Sequence, residues 1–183
     1  MNPPKEFSFA ARLIAWQKSQ GRHDLPWQGT GDAYRIWLSE IMLQQTQVAT
    51  VLDYYPRFLA RFPDVAALAA ASADDVLACW SGLGYYSRAR NLHQAAQQVM
   101  DTFGGRFPAD RVALETLRGV GRSTAAAIAV FAYGHKEAIL DGNVKRILAR
   151  HAGIYGAPDR PATQQALWVA AEARLPDDAA TLR

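Results

Sequence analysis

Glu40 lies in the middle of a stretch, residues 32–47, in which apolar residues recur at helical spacing on nearly every side. A helix that is apolar nearly all round is a buried helix. None of the positions one turn away from Glu40 is basic: Ile36, Trp37, Leu43 and Gln44. Burial without a basic partner favours the protonated form of a carboxylic acid, so we expect Glu40 to hold a proton and to act as a general acid. The alternative is a Glu that is exposed, or paired with an arginine from elsewhere in the fold.

Asp141 precedes Gly142 and a segment with helical apolar spacing, which predicts a helix N-cap. An N-cap carboxylate accepts amide hydrogen bonds beside the positive end of the helix dipole, and these favour its ionised form. A protonated and an ionised carboxyl group are the pair used to cleave glycosidic bonds. On a purine nucleotide, Glu40 would protonate the leaving base and Asp141 would stabilise the positive charge on the sugar. A base in a duplex reaches a buried acid only if its nucleotide flips out of the stack.

A Gly-x-Gly turn in Leu117–Ala127 leads into a helix of small residues that should begin near Arg122 or Ser123. No β-branched strand precedes the turn, so the dinucleotide-binding motif is excluded. Free amides at the helix start point back at the turn, and Gly119 and Gly121 let a phosphate approach the backbone. The sequence therefore predicts a grip on the nucleic-acid backbone that is independent of base sequence.

Two further turns carry side chains suited to nucleic acid. Gln44 and Gln45 lie between two predicted helices, where their amides either satisfy backbone groups or read base edges. The turn with Gly82 and Gly84 is followed by side chains that can stack on a base or pair with phosphate, namely Tyr85, Tyr86, Arg88 and Arg90. Gln45 and Tyr85 are the candidates to fill the gap left by a flipped nucleotide.

Helical periodicity and cap residues predict the elements that position these side chains, and no convincing strand appears, so the fold class is all-α. The predicted helices are an amphipathic one over Phe7–Gln20, one capped by Asp32, one begun at Thr46 that Pro56 kinks or ends, two short ones opened by Pro63 and Ser72, and others over Ser87–Phe103, Ala109–Leu117, from Arg122 or Ser123, after Asp141, and over Pro161–Arg174.

Composition describes a folded protein with a basic segment. Of 183 residues, 50% are hydrophobic and 20% charged, and the net charge is +3. Residues 81–150 hold ten Lys or Arg against five Asp or Glu, which suggests a polyanionic partner or, alternatively, a solvated basic face. No apolar run approaches the ~20 residues of a membrane span and no secretion signal opens the chain, so we expect a cytoplasmic protein without a membrane partner. The single cysteine, Cys79, is expected to be a buried thiol.

Four motifs, WLSEIMLQQTQV, GLGYYSRARNL, GVGRSTAAAI and ILDGNVKRILAR, together resemble the A/G-mismatch adenine DNA glycosylases of the MutY type, in the helix-hairpin-helix DNA glycosylase superfamily. The resemblance implies a two-lobed fold, with residues 22–134 as a six-helix barrel. Residues 1–21 and 135–183 would form a partial second lobe of the iron–sulfur type. It also implies a monomer that binds double-stranded DNA containing adenine opposite 8-oxoguanine or guanine.

The same resemblance assigns roles to individual residues. Glu40 is the acid, Asp141 stabilises the cation and assists water, and Asn143 contacts the sugar. Leu25 and Trp27 are assigned to the adenine pocket, although Trp27 in its loop could equally be a core plug. The residues assigned to DNA binding are Gln44, Gln45, Thr46, Tyr85, Arg88, Arg90, Gly119, Val120, Gly121, Arg122, Ser123 and Lys145.

Three departures from the family pattern concern the hairpin, the cofactor and a domain. Arg118 stands where the family usually has proline, which should loosen the turn slightly and add a charge near DNA. The family's four cysteines for a 4Fe–4S cluster are absent, so no metal ligand is assigned in this chain. The C-terminal domain that reads 8-oxoguanine is also missing, so we expect a fragment with an incomplete second lobe.

Two alternatives stay open. Endonuclease III-like glycosylases with lyase activity place a nucleophilic Lys where this chain has Ser123, and Ser cannot form a Schiff base, so a monofunctional enzyme is expected. Lys145 nearby could still trap an abasic sugar adventitiously. The other alternative is an inert helix-hairpin-helix module that binds the DNA backbone.

Overall fold

The computed structural model describes residues 9–176, and these contain ten α-helices and no strand, which confirms the all-α class. The chain divides into two compact units. One is Asp24–Tyr133, and the other combines Met1–His23 with Gly134–Arg183. We call the first the central unit and the second the terminal unit. The start of the predicted Phe7–Gln20 helix and the tail from residue 177 lie outside the described residues.

The central unit contains seven of the helices and the terminal unit three, all within residues 9–176. Those of the central unit are α2 (Ala33–Leu43), α3 (Val48–Arg61), α4 (Val65–Ala70), α5 (Ala73–Trp80), α6 (Ser87–Phe103), α7 (Arg111–Glu115) and α8 (Arg122–Tyr133). Those of the terminal unit are α1 (Phe9–Gln20), α9 (Gly142–Ala152) and α10 (Pro161–Glu172).

Five helices begin at a side chain that accepts a hydrogen bond from a backbone amide one turn on, which satisfies an otherwise unpaired donor. These caps are Asp32 for α2, Asp64 for α4, Ser72 for α5, Asp110 for α7 and Asp141 for α9. The predicted caps Asp32, Ser72 and Asp141 are confirmed. The prediction that Pro63 opens α4 is wrong, because the carboxylate of Asp64 accepts from the Ala67 amide at 2.7 Å.

Helix α3 differs from its prediction at both its start and its middle. Its N-cap is Gln47 rather than Thr46, and no side chain caps it. Pro56 lies inside the helix and does not end it. Proline removes one backbone hydrogen bond, but α3 buries Tyr55 and Phe58 in the core, and this packing holds the helix together on both sides of Pro56.

Helix α2 is the centre of the core of the central unit. Its side chains Trp37, Leu38 and Met42 are fully buried, and the helix packs against α3, α6 and α8. Helix α8 packs against α2, and its buried residues include the small side chains of Ala125 and Ala129. The periodicity argument that made residues 32–47 a buried helix is therefore confirmed.

The terminal unit has a smaller core around Leu140, Leu148 and Leu167. In α1 the apolar pattern predicted the helix correctly, but none of its described residues is buried. Leu13 and Trp16 remain 48% and 58% exposed.

Half-buried Cys79 packs against the core of the central unit. Within residues 9–176, no helix combines the length and apolarity of a membrane span.

Candidate nucleic-acid interface

Glu40 is the half-buried residue of an otherwise buried turn of α2, between buried Ser39 and Ile41. The expectation of an unpaired carboxylate is wrong, because Glu40 takes part in a polar or electrostatic interaction. An acid at this position is anchored to a largely buried helix while part of its surface stays accessible. The placement suits a group that must meet a ligand at a fixed position.

Two loops, one directly after α2 and one directly after α5, are joined by a single arginine. We call residues 44–46 the first loop and residues 81–86 the second loop. Arg88 Nη1 donates to the carbonyl of Gln44 at 2.6 Å, and Nη2 donates to the carbonyls of Leu83 and Gly84 at 3.2 and 3.3 Å. Its other acceptors, all belonging to α2 or the first loop, are the carbonyls of Ile41 and Met42 and the hydroxyl of Thr46.

The structure corrects the assignment of Arg88 as a direct DNA contact. Its side chain is buried, and both terminal nitrogens are engaged with the protein. Burial lowers the pKa of Arg88 from its ordinary value, with a smaller opposing effect of Tyr85. An arginine remains charged at neutral pH even so. Thr46 is also used internally, since its hydroxyl accepts from Arg88 at 3.0 Å.

Gln45 and Tyr85 protrude from the two loops. Tyr85 is 60% exposed and Gln45 is exposed as well. Both have left-handed backbones, with φ of 56° and 49°. In the second loop, the Tyr54 hydroxyl donates to Ser81 and Trp80 Nε1 donates to Gly84. The loops are thus braced from below, while the side chains at their tips are open to a ligand.

The hairpin before α8 has the predicted form. Helix α8 begins at Arg122, Gly119 has φ of 74°, and Val120 is buried under the turn. A Cβ atom on Gly121 would meet nothing within 4 Å, so this residue leaves open space over the helix start. Arg122 and Ser123 are half-buried, and each has an interaction partner.

Arg118 is held against α6 at the position where the family usually has proline. Its backbone amide donates to Gln98 Oε1 at 3.3 Å, and its Nε donates to Gln94 Oε1 at 3.2 Å. Proline could not make the first of these bonds. The hydrogen bond from the Arg118 amide therefore compensates for the loosening of the turn that we expected from the loss of proline. Arg90 is exposed on the first turns of the same helix α6.

Asp141, Asn143 and Lys145 belong to the start of α9 in the terminal unit. Asp141 Oδ1 accepts from the Val144 amide at 2.7 Å, and its side chain is exposed. Exposed Asn143 accepts from Arg146 at 2.6 Å, and Lys145 is half-buried. The cap holds the carboxylate in one orientation and leaves one of its oxygens unused by the cap.

Leu25 and Trp27 occupy the loop before α2, and both are half-buried. Trp27 packs against the core of the central unit and meets Tyr55 edge-on at 5.5 Å. This geometry favours the core-plug alternative for Trp27. Its half-buried state leaves part of the ring available to a flat ligand.

A 4Fe–4S cluster needs four thiolate ligands, and this chain has one cysteine. Cys79 lies on α5, packed against the core. Across residues 9–176, no three His, Cys, Asp or Glu side chains converge in a way that could hold a metal ion. The residues of this chain do not fit the cluster.

Residues 38–173 match the family described as HhH-GPD superfamily base excision DNA repair protein. The chain belongs to this superfamily. An adenine DNA glycosylase of Buchnera aphidicola subsp. Schizaphis graminum is 41% identical over 170 residues, which cover 93% of this chain and 49% of the relative. The chain thus spans about half the length of that relative.

Two other comparisons are with glycosylases named for thymine or uracil. A thymine/uracil-DNA glycosylase of Pyrobaculum aerophilum is 36% identical over 171 residues, covering 93% of this chain and 74% of the relative. The solved structure of a thermostable thymine-DNA glycosylase superposes with a TM-score of 0.82 at 30% identity, covering 92% of this chain and 77% of that one. The helix-hairpin-helix glycosylase fold expected from the motifs is confirmed.

Sequence reasoning missed the role of Arg88 and the supports beneath the two loops. A signal was present, because Arg88 falls in helical register with buried Leu92, Ala95 and Val99 on α6. An arginine on a core-facing stripe is expected to be buried and paired. The support that Tyr54 gives to the second loop comes from a contact 27 residues away in sequence and left no local signal.

Proposed function

We propose that this chain is the glycosylase portion of a base excision repair enzyme that removes adenine mispaired with 8-oxoguanine or guanine. The observation that carries the proposal is the similarity to adenine DNA glycosylases along 93% of the chain. The half-buried carboxyl group of Glu40 on α2 and the capped carboxylate of Asp141 support it. The DNA contacts we assign are the two loop tips, the Gly119–Gly121 hairpin and the helix start at Arg122.

In the proposed reaction, Glu40 donates a proton to a ring nitrogen of the flipped adenine. The bond between the sugar and the base breaks, its electron pair leaves with the base, and adenine departs as a neutral molecule. The sugar becomes an oxocarbenium ion, and Asp141 stabilises its positive charge. Water then adds to the sugar carbon and passes a proton to the carboxylate of Asp141, which leaves an abasic site. Proton exchange with solvent returns Glu40 to its protonated form and Asp141 to its ionised form. Asn143 contacts the sugar, and Leu25 and Trp27 border the base.

In the proposed complex, backbone amides of the protein bind the DNA phosphates independently of base sequence. The amides of the hairpin and of the start of α8 approach a phosphate, with Arg122 and Ser123 beside them. Arg90 and Lys145 add positive charge. Gln45 and Tyr85 enter the duplex at the mismatch, where glutamine can hydrogen-bond base edges and tyrosine can stack.

A second candidate function is removal of thymine or uracil. It is favoured by the thymine/uracil-DNA glycosylase relative, of which this chain covers 74%, and by the thymine-DNA glycosylase structure. The two candidates predict different products from the same protein. A duplex with thymine opposite guanine would release thymine in one case and stay intact in the other.

The test is single-turnover base release from three duplexes, with adenine opposite 8-oxoguanine, adenine opposite guanine and thymine opposite guanine. Each reaction is analysed with and without alkali. We expect strand breaks at adenine only after alkali, because a monofunctional glycosylase leaves an intact abasic strand. Breaks without alkali would support the lyase alternative, and release of thymine alone would replace adenine as the substrate.

Glu40→Gln is the matched variant, since it keeps the shape and hydrogen-bonding capacity of the side chain but cannot donate an acidic proton. We expect base release to fall by at least ~100-fold while binding of the mismatched duplex is retained. Binding with a steep salt dependence but no base release by either protein would instead indicate an inert module that holds the DNA backbone.

A further inference from the structure

Gln45 and Tyr85 are the two non-glycine residues with positive φ in residues 9–176. This conformation is costly for side chains with a Cβ atom, and it persists only where the surroundings enforce it. Both side chains are exposed. Their own packing therefore does not explain why the backbone holds this shape.

One buried guanidinium holds the peptide groups immediately before both residues. Arg88 Nη1 lies 2.6 Å from the carbonyl of Gln44, and Nη2 lies 3.3 Å from the carbonyl of Gly84. The backbone amide of Arg88 also donates to the carbonyl of Tyr85 at 2.9 Å. Loop geometry at the two tips is thus tied to a single side chain.

Holding both loops leaves one nitrogen of the Arg88 guanidinium without a hydrogen bond among the described residues. Its Nε is buried and has no hydrogen-bond partner among the described residues. Buried polar atoms are normally paired, so an unpaired one marks a conformation set by other demands. Here those demands are the carbonyls of the two loops, which both terminal nitrogens satisfy together.

We propose that Arg88 is a positioning residue that presets Gln45 and Tyr85 for contact with DNA bases and couples the two loops, so that loss of the guanidinium releases both. The contact with DNA rests on the proposed function, whereas the coupling of the loops does not. Presetting the two side chains removes part of the ordering cost of binding. Arg88 itself touches no DNA, because it lies beneath the loops.

The first test uses the protein without DNA and measures amide hydrogen exchange in Arg88→Lys. Lysine keeps the charge, but one ammonium group cannot bridge the carbonyls of both loops. We expect the amides of Thr46 and Leu83, which close the two loops, to exchange at least tenfold faster, with amides inside α8 unchanged. The control is Arg61→Lys, which alters an exposed pair with Asp75 and should change neither loop.

Unchanged exchange in the loops would overturn the proposal. So would equal acceleration in α8, because that result means general destabilisation. Thr46→Val serves where Arg88→Lys does not fold, since it removes one acceptor of Arg88 and keeps the side-chain shape. It should accelerate exchange of the Leu83 amide across the gap between the loops, and an effect confined to the first loop would overturn the coupling.

The second test measures affinity for a duplex with adenine opposite 8-oxoguanine relative to a matched duplex. Gln45→Ala and Tyr85→Ala should each lower this preference about fivefold or more in the native protein. In Arg88→Lys the preference should already be lost, so neither substitution lowers it further. Fully additive effects would overturn the presetting. If the native protein shows no preference, the proposed function fails, and the exchange measurements alone decide the role of Arg88.

Discussion

Gly119 and Gly121 allow the folding of the hairpin to be tested separately from the DNA binding that we propose for it. Gly119 has φ of 74°, and a Cβ atom there would lie 2.9 Å from the Cβ of Asn91 on α6. A left-handed alanine costs roughly 1–2 kcal/mol, and relief of the contact requires Asn91 to move. We expect Gly119→Ala to lower the free energy of unfolding by about 2 kcal/mol, which corresponds to a fall in Tm of roughly 4–8 °C for a chain of this size.

Gly121 is the matched position, since its φ is not positive and a Cβ atom would meet no atom within 4 Å. Gly121→Ala should leave the free energy of unfolding unchanged, or raise it by up to about 1 kcal/mol, because alanine restricts the unfolded chain. The added methyl group should nevertheless keep a phosphate from the hairpin amides. A hydrogen bond to a charged group contributes about 1.5–3 kcal/mol, so we expect at least tenfold weaker DNA binding.

Urea unfolding and fluorescence-anisotropy titrations with a matched duplex at two salt concentrations measure both quantities for both variants. The loss in Gly121→Ala should be the same for matched and mismatched duplexes, because phosphate contacts carry no base information. Native affinity in Gly121→Ala would refute the phosphate-binding hairpin. Native stability in Gly119→Ala would refute the reasoning from its backbone angle.

Two further predictions concern a cap and a buried tyrosine. Asp141→Asn should keep the α9 cap and the free energy of unfolding but slow base release by about 100-fold or more. Asp141→Ala should slow base release as well and also lower the free energy of unfolding by about 1 kcal/mol, because it removes the cap. Native base release in Asp141→Asn would show that the charge of Asp141 is not needed in the mechanism. Burial raises the pKa of Tyr55 to about 12 from 10.0, so this tyrosine loses its proton at lower pH in the unfolded chain than in the folded protein. The contribution of Tyr55 to the free energy of unfolding should therefore be fully present below pH 10 and be lost between about pH 10 and 12. Urea unfolding at intervals across that window, with Tyr55→Phe as comparison, should show a shallower decline in the variant; parallel curves would contradict the assignment.

Local sequence signals determined most of the helices. Asp32, Ser72 and Asp141 cap helices as the residue types predict, because a cap depends on a side chain and amides only two or three residues away. The apolar content of residues 32–47 likewise predicted a buried helix. Pro56 shows where this reasoning ends: its intrinsic effect favours a break, and the burial of Tyr55 and Phe58 in the tertiary core overrides it.

The candidate site divides in the same way. Residue types and spacing alone indicated Glu40, Asp141, the hairpin glycines and the protruding pair Gln45 and Tyr85. Only the tertiary structure showed that Arg88, chosen from sequence as a phosphate ligand, is buried and bonded to carbonyls up to 47 residues away. A short-range sequence pattern predicts whether a helix forms, whether it is buried and which residue caps it, because these properties depend on neighbours in the chain. The partners of a buried cation depend on which loops the packed helices bring together, and that is decided by the fold.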